Sequence, residues 1–367
     1  MEKKKILLIS NMYPSKSNKH YGIFIKNTED LLRENGYDVQ KVVITKQKNI
    51  VLKLINYLLL HLKVIIKGLF GNVDYLYVHF ISHSSLGAVI VKKINKNVKL
   101  ILNCHGNDIV ADNEIDLKNI KRSKKYLKYA DKVVVPSSYF KNVLIKDYHI
   151  KEDIIFIYPS GGVDTNYFKN ISLIDAKNKS GLNKDYNYLG YISRIETDKG
   201  YDTFVYMIKE LEKKDLIKKY NLKFLIVGSG LEEDRLNDLV RELELENFIE
   251  RKDLLSQEEL LYLYNSLELF IFPTYRKSDS LGLVGLEAMS CETFVIASDK
   301  YGPSCYMKDN FNGFTFKIED YKDLTKKIIK YFELDDESKK NIKNNARKTA
   351  IEYDTNNTKN KILEVFK

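Results

Sequence analysis

The block Asp279-Ser280-Leu281-Gly282-Leu283-Val284-Gly285-Leu286-Glu287 has a carboxylate at each end, and it follows an apolar run, Leu267 to Phe272, that stops at Pro273. Such a run reads as a buried strand leading into a loop. Asp and Ser are favoured helix N-cap types and the apolar pattern continues through Met289, so the spacing predicts a helix starting at Asp279–Ser280. Eight positions are slightly more than two turns, which would put Asp279 and Glu287 on roughly the same side. The amides of Gly282, Leu283 and Val284 would open into the same space. A helix N-terminus attracts anions, and carboxylates accept hydrogen bonds from hydroxyls. Phosphate plus many hydroxyls describes a sugar nucleotide.

Cations stand in a second loop. In Gly190-Tyr191-Ile192-Ser193-Arg194-Ile195-Glu196-Thr197-Asp198-Lys199-Gly200, Arg194 and Lys199 follow a strand-like run and suit a diphosphate, one as a bidentate fork and the other as a point charge. Val227-Gly228-Ser229-Gly230 is half of a dinucleotide fingerprint, but Glu233 stands where the third glycine belongs, so a tight strand-to-helix turn competes with nucleotide binding. His105, in Leu102-Asn103-Cys104-His105-Gly106-Asn107-Asp108, ends another strand, where a neutral imidazole could bond a sugar hydroxyl. His79 and His83 have metal-ligand spacing without an evident third ligand, so no metal is expected.

Positioning these groups takes a regular frame. Strand-like runs at Lys5–Ser10, Val39–Ile44, Tyr75–Phe80, Lys99–Asn103 and Lys132–Val135 alternate with helical segments, and a second series runs from Tyr188 to the end. Near-continuous apolar strands alternating with helices imply parallel sheets covered on both faces, with ligands at the carboxyl ends of the strands. A chain of 367 residues suits two such domains. The expected division is 1–168, 169–350, and a terminal helix, 351–367, crossing back to the first domain.

Charge is uneven. Residues 1–170 hold 28 Lys and Arg against 15 Asp and Glu, net +13, and residues 171–367 hold 32 against 35, net −3. This asymmetry points to an anionic partner for the first half. The segment Val51–Phe70 is apolar with a narrow polar stripe at Lys53, Asn56, Lys63 and Lys67. It fits either a helix packed on the first sheet or one lying on anionic lipid. The basic, tyrosine-bearing stretch Leu117–Lys132 fits a solvated helix face or single-stranded nucleic acid. Set against the loop chemistry, a membrane surface is the better partner, and no nucleic acid is expected. No run is long enough to span a bilayer, three scattered cysteines make no disulfide framework, and the amino-terminal apolar run is too short for a signal peptide. The expected location is cytoplasmic, peripheral at the inner face of the membrane.

Together, SRIETDKG, IVGSG, the Asp-x7-Glu block, Asn312-Gly313, Tyr158-Pro159-Ser160-Gly161-Gly162-Val163-Asp164 and Asn11-Met12-Tyr13-Pro14 with Gly22 resemble retaining family-4 glycosyltransferases across nearly the whole chain. The resemblance implies a GT-B fold, with two Rossmann-like doubly wound parallel-sheet domains facing across a cleft. It implies that Arg194, Lys199, Gly22 and the amides of Gly282, Leu283 and Val284 hold the donor diphosphate. By the same likeness Glu287 takes the ribose, while Asp279 and His105 act at the transferred sugar. The nucleoside-diphosphate sugar is then a substrate and no cofactor is expected. The acceptor would be a lipid-linked or other glycan, or a membrane lipid, in polysaccharide or glycolipid synthesis. This chain departs from the family in having Asp279 where Glu is usual, Glu292 and Phe294 after Cys291, and Cys305 in place of Glu. A sugar-nucleotide epimerase, a phosphorylase, or a non-catalytic membrane- or nucleic-acid-binding protein remain as alternatives.

Overall fold

The computed structural model describes residues 3–19, 21–47 and 49–367. The chain divides into two compact units, one ending at Gly161 and completed by Thr358–Lys367, the other Gly162–Asn357. The first boundary falls at Gly161 rather than 168 because Val163 already belongs to the second unit. Its amide bonds the Tyr353 carbonyl at 2.9 Å, and its own carbonyl takes the Thr355 amide at 3.0 Å. The returning segment accordingly begins at Thr358 rather than 351.

In the first unit the elements are β1 (Lys5–Ser10), α1 (Ile23–Glu34), β2 (Asp38–Val43), α2 (Ile50–Phe70), β3 (Tyr75–His79), α3 (Ile81–Ile94), β4 (Lys99–Asn103), α4 (Glu114–Leu127), β5 (Lys132–Val135), α5 (Ser138–Tyr148) and β6 (Ile155–Ile157). All pairs are parallel, in the order β2-β1-β3-β4-β5-β6. Such a sheet buries both faces, which is why Ile6, Leu7, Leu8 and Ile9 are all fully buried although alternate residues point opposite ways. The order reverses between β1 and β3.

The second unit holds α6 (Leu173–Ser180), β7 (Asn187–Ile192), α7 (Tyr201–Lys213), α8 (Leu216–Lys219), β8 (Leu222–Val227), α9 (Glu233–Glu242), β9 (Ile249–Lys252), α10 (Gln257–Ser266), β10 (Leu267–Phe272), α11 (Leu283–Ser290), β11 (Phe294–Ser298), β12 (Phe314–Phe316), α12 (Tyr321–Glu333) and α13 (Asp336–Glu352). Its sheet runs β12-β11-β10-β7-β8-β9 and reverses between β7 and β10. Helix α11 begins at Leu283, four residues later than the spacing suggests, because Gly282 takes the cap position with φ 80° and the Asp279 side chain is used elsewhere. Asp279 therefore lies in the preceding loop, and two helical turns do not relate it to Glu287.

Two features of the first unit stand out. Helix α2 buries only Leu60, Val64 and Gly68, the stripe facing α3. A Cβ on Gly68 would meet Val91 at 2.8 Å and one on Gly87 the His61 carbonyl at 2.8 Å, so small residues let the two helices approach closely. Tyr57, Ile65 and Leu69 are half-buried against the same core, and the helix's other apolar side chains, Leu54, Leu58, Ile66 and Phe70 among them, are exposed. At the other end of the chain, α14 (Thr355–Glu364) leads to Phe366, whose ring packs edge-on against Tyr75 and Tyr77. Tyr75 donates to the Phe366 carbonyl at 2.6 Å and Lys132 to that of Val365 at 2.8 Å. This ring is fully buried, so Phe366→Ala is expected to cost about 3–5 kcal/mol. Thermal unfolding should show a clear loss, and an unchanged midpoint would mean that the tail is not part of the first unit's core.

Candidate active site

In the second unit, the loops after β7 and β10 leave the sheet on either side of its reversal, where ligands bind in open parallel sheets. The β7 loop is braced by the glycine turn after β8. Cβ atoms on Gly228 and Gly230 would lie 2.1 Å from the carbonyl oxygens of Ser193 and Ile195. Ile195 N–H donates to the Ser229 carbonyl, and Glu232 N–H to that of Ile195, each at 3.1 Å. The glycines thus serve close backbone approach, and they fix the loop that carries Arg194. That side chain is 61% exposed and bonds Glu196 at 2.6 Å. Arg276, from the β10 loop, meets the other oxygen of Glu196 at 2.6 Å, tying the two loops together.

Lys199 ends a short 3-10 turn, and Gly200 behind it (φ 78°) lies against the Pro273 carbonyl, where a Cβ would come within 2.1 Å. The ammonium forms an ion pair with Asp279, both side chains largely buried. Thr274 donates to the second Asp279 oxygen at 2.6 Å. Both carboxylate oxygens are therefore engaged. The turn into α11 is equally constrained: a Cβ on Gly282 would strike the Phe272 ring at 2.4 Å, and the Tyr306 hydroxyl donates to the Gly282 carbonyl at 3.1 Å. The amides of Leu283 and Val284, at the first turn, have no intrahelical acceptor. Glu287, one turn on and partly buried, accepts from the Tyr264 hydroxyl at 2.9 Å. Burial pushes its carboxyl up to about 7 against that bond's opposite pull.

In the first unit the corresponding reversal lies between β1 and β3. Gly22 caps α1 with φ 75°, and a Cβ there would lie 2.9 Å from the Met12 backbone, so the loop after β1 closes only over glycine. That loop is held from below by Tyr13, which donates to Glu29 at 2.5 Å; Lys41 and Arg33 bond the same carboxylate. His105 Nε2 lies 3.0 Å from His79 Nδ1 with the rings stacked, and Phe24 and Phe80 pack against His105. Phe80 has φ 59°, a left-handed conformation that is costly for a bulky residue. Burial lowers both imidazoles, His105 to about 3, so both are neutral at pH 7 and one proton lies between them. His79 Nε2 is buried without a partner. A bare acceptor is tolerated better than an orphaned N–H, which favours the proton on His79 Nδ1, donated to His105. His105 then keeps its own proton on Nδ1, the atom left to meet a ligand. Asp108 bonds the amides of His105 and Gly106 at 2.9 and 3.0 Å and that of Ile81 at 3.2 Å, so it fixes the backbone turn and not the imidazole. His83 bonds Ser82 instead of sharing a site with His79. Among the described residues no three His, Cys, Asp or Glu gather as metal ligands.

The family description "Glycosyl transferases group 1" matches residues 174–349, and "Glycosyltransferase Family 4" matches 15–167. This chain belongs to the family-4 glycosyltransferases. As such it is an enzyme that draws its sugar from a nucleotide donor. It is 24% identical over 290 residues to an uncharacterized glycosyltransferase of Methanocaldococcus jannaschii, covering 77% of this chain and 72% of that one. With the capsular polysaccharide biosynthesis glycosyltransferase CapM of Staphylococcus aureus it shares 28% over 235 residues, 60% of this chain but only 56% of CapM. Anabaena HepE, solved with UDP, superimposes with a TM-score of 0.75 at 18% identity over 99% of both chains. Sucrose-phosphate synthase from Thermosynechococcus elongatus gives 0.79 at 17%, over 100% and 98%. At these identities the structural likeness concerns the GT-B fold.

Several groups around the glycosyltransferase's predicted residues carry no sequence signal of their own. Arg276, Thr274 and Tyr264 belong to ordinary loop and helix patterns, and the spacing that singles out His79 pairs it with His83, not with its partner His105, 26 positions away. The only available hint was that Arg276 and Thr274 fall between β10 and Gly282.

The Glu287 carboxyl gives a pH test. Its raised value means that the neutral and charged forms are evenly matched near pH 7, the neutral form gaining below and the charged form above, and only the charged form accepts hydrogen bonds freely with both oxygens. Nucleoside diphosphate binding by calorimetry should therefore weaken as pH falls through about 7, and Glu287→Gln should flatten the profile. A profile identical in both proteins would remove Glu287 from the nucleotide contact. The sign for stability is the reverse. A raised carboxyl destabilises the fold as pH rises from the ordinary glutamate range to about 7.

Proposed function

We propose that this glycosyltransferase moves a sugar, with retention of anomeric configuration, from a nucleoside-diphosphate sugar to a hydroxyl of a membrane lipid or lipid-linked glycan, in cell-surface polysaccharide or glycolipid synthesis. The observation that carries the donor half is one loop pair flanking the β7/β10 reversal. It supplies a guanidinium (Arg194), an ammonium (Lys199), unpaired helix amides (Leu283, Val284) and a carboxylate (Glu287) within a single unit. In that role Arg194, Lys199 and the amides stabilise the charge that builds on the departing diphosphate, and Glu287 bonds the ribose. For Gly22 and His105, in the first unit, we keep the parts that the family resemblance implies, Gly22 for the phosphates and His105 for the sugar. Asp279 holds Lys199 in place and positions the sugar. With both oxygens bonded to Lys199 and Thr274 it is poorly set to act as a covalent nucleophile. Support for a sugar nucleotide comes from HepE, solved with UDP-glucose as well as with UDP, and for polysaccharide synthesis from the name of CapM.

The test is a panel of nucleoside-diphosphate sugars with lipid-linked and soluble acceptors, read by product NMR. We expect transfer from one donor class with the donor's anomeric configuration kept, and loss of donor binding in Arg194→Ala. Inverted product, or binding that survives this change, contradicts the proposal.

The membrane half rests on α2. Leu54, Leu58, Ile66 and Phe70 are each more than half exposed, with Lys53, Lys63 and Lys67 on the same 21-residue helix. No helix among the described residues is long and apolar enough to cross a membrane. An apolar face edged by lysines fits the interface of an anionic bilayer. Co-sedimentation with phosphatidylglycerol vesicles should fade as salt rises from about 0.05 to 0.5 M, through screening, and Leu58→Glu should abolish it. Binding indifferent to both would rule out α2 as the contact.

A further inference from the structure

A second cavity in the first unit is used by none of the donor groups. It measures about 380 Å³ and lies at the carboxyl ends of β1, β2 and β3, lined from the segments that follow each strand and from α2. This is again the edge at which open parallel sheets bind ligands. Its polar lining includes Asn11, Gln47, Asn107, Asn119, Lys46 and Lys53, with no aspartate or glutamate among its lining residues. Amide side chains both donate to and accept from hydroxyls, whereas the lysines only donate.

Lys46 and Lys53 bring positive charge to a wall that has no carboxylate among its described lining residues. His83, on the cavity wall, is held below the ordinary histidine range by burial and by the charges of Arg122 and Lys53. Its Nδ1 lies 2.7 Å from the Ser82 hydroxyl. On the α2 side Tyr57 is bonded by the Asn11 amide at 3.1 Å, leaving Asn11 Oδ1 buried with no partner. Lys53 and Tyr57 are one helical turn apart and share the cavity-facing side of α2, while Leu54 and Leu58 carry its exposed apolar side. One helix therefore borders a polar, cationic cavity and an apolar surface at once.

We propose that this cavity seats the acceptor, and that the acceptor's polar end is a hydroxyl-rich unit bearing a negative charge, a phosphate or a carboxylate, paired with Lys46 and Lys53. Two ammonium groups on a wall without a lining carboxylate favour an anion over a neutral ring, and the acidic side chains that accept from the hydroxyls of neutral sugars are not among the lining residues. The proposal rests on the assignment of this chain as a transferase with its acceptor in the first unit. It adds the acceptor's charge and the residues that read it.

Three hexoses that differ only at C6 separate the possibilities: glucose, glucuronate and glucose 6-phosphate. Each is titrated into the full chain with UDP present in excess to fill the donor site, by calorimetry, and again into Lys53→Met and the Lys46→Met/Lys53→Met double variant. Both lysines are exposed, so these changes leave the fold intact. One charged hexose should bind about tenfold or more tighter than glucose, as expected for a hydrogen-bonded charge pair, and the variants should bring the ratio close to one. Which charged hexose gains tells phosphate from carboxylate. Equal binding of all three, no binding of either charged hexose, or a preference that survives in the double variant overturns the proposal. UDP binding is measured separately. Its absence from the wild-type protein would undo the donor assignment while the hexose comparison still judged the cavity.

Discussion

A parallel sheet whose strand order reverses opens a gap at the reversal, because the chain leaves the two central strands in opposite directions. In the second unit the gap lies between β7 and β10, and the Lys199–Asp279 ion pair spans it. Everything else in the site is arranged around that pair. Gly200 presses against Pro273, Thr274 completes the Asp279 shell, and Arg276 reaches back to Glu196 on the opposite loop. Breaking a largely buried pair by removing one partner typically costs about 3–5 kcal/mol, since the charge left behind has lost both water and counter-ion. The pair thus fixes the loops before any ligand arrives. A diphosphate arriving at Lys199 would exchange one anionic neighbour for another instead of meeting a solvated lysine.

Backbone proximity does as much as charge. The glycines at 22, 200, 228, 230 and 282 each stand where a Cβ would meet backbone or ring atoms at 3 Å or less. Each lets one loop lie directly on another, so functional groups are carried by segments with little freedom. The first unit uses the same device with different chemistry. Gly22 closes the β1 loop, and a stacked imidazole pair stands where β3 and β4 end, packed against Phe80 in a strained conformation, while Asp108 fixes the backbone turn beside it.

Much of this was legible in the residues. The β-α alternation and the apolar strands dictate two doubly wound sheets, and the positions of Arg194 and Lys199 in the loop after β7, and of Glu287 on the helix that follows β10, agree with the same pattern. The onset of α11 was not legible. Local capping chemistry favours Asp279, but its carboxylate is claimed by a lysine 80 residues away, and a tertiary ion pair outweighs a cap worth about 1 kcal/mol. The pairing of His79 with His105 was hidden for a related reason: neighbouring strands bring them together, and nothing in the spacing records it. Helix α2 showed its apolar character plainly, yet only packing could reveal that so little of it is buried.

The central claim is that the diphosphate seat lies on the loops flanking the β7/β10 gap. Selective 15N labelling of valine and glycine, read on adding UDP, tests it most directly. The account predicts that the Val284 and Gly282 amides shift strongly while Gly228 and Gly230, spent on bracing the Arg194 loop, move little. Shifts centred on Gly228 and Gly230, with Val284 and Gly282 silent, would place the phosphates on the glycine turn and contradict it.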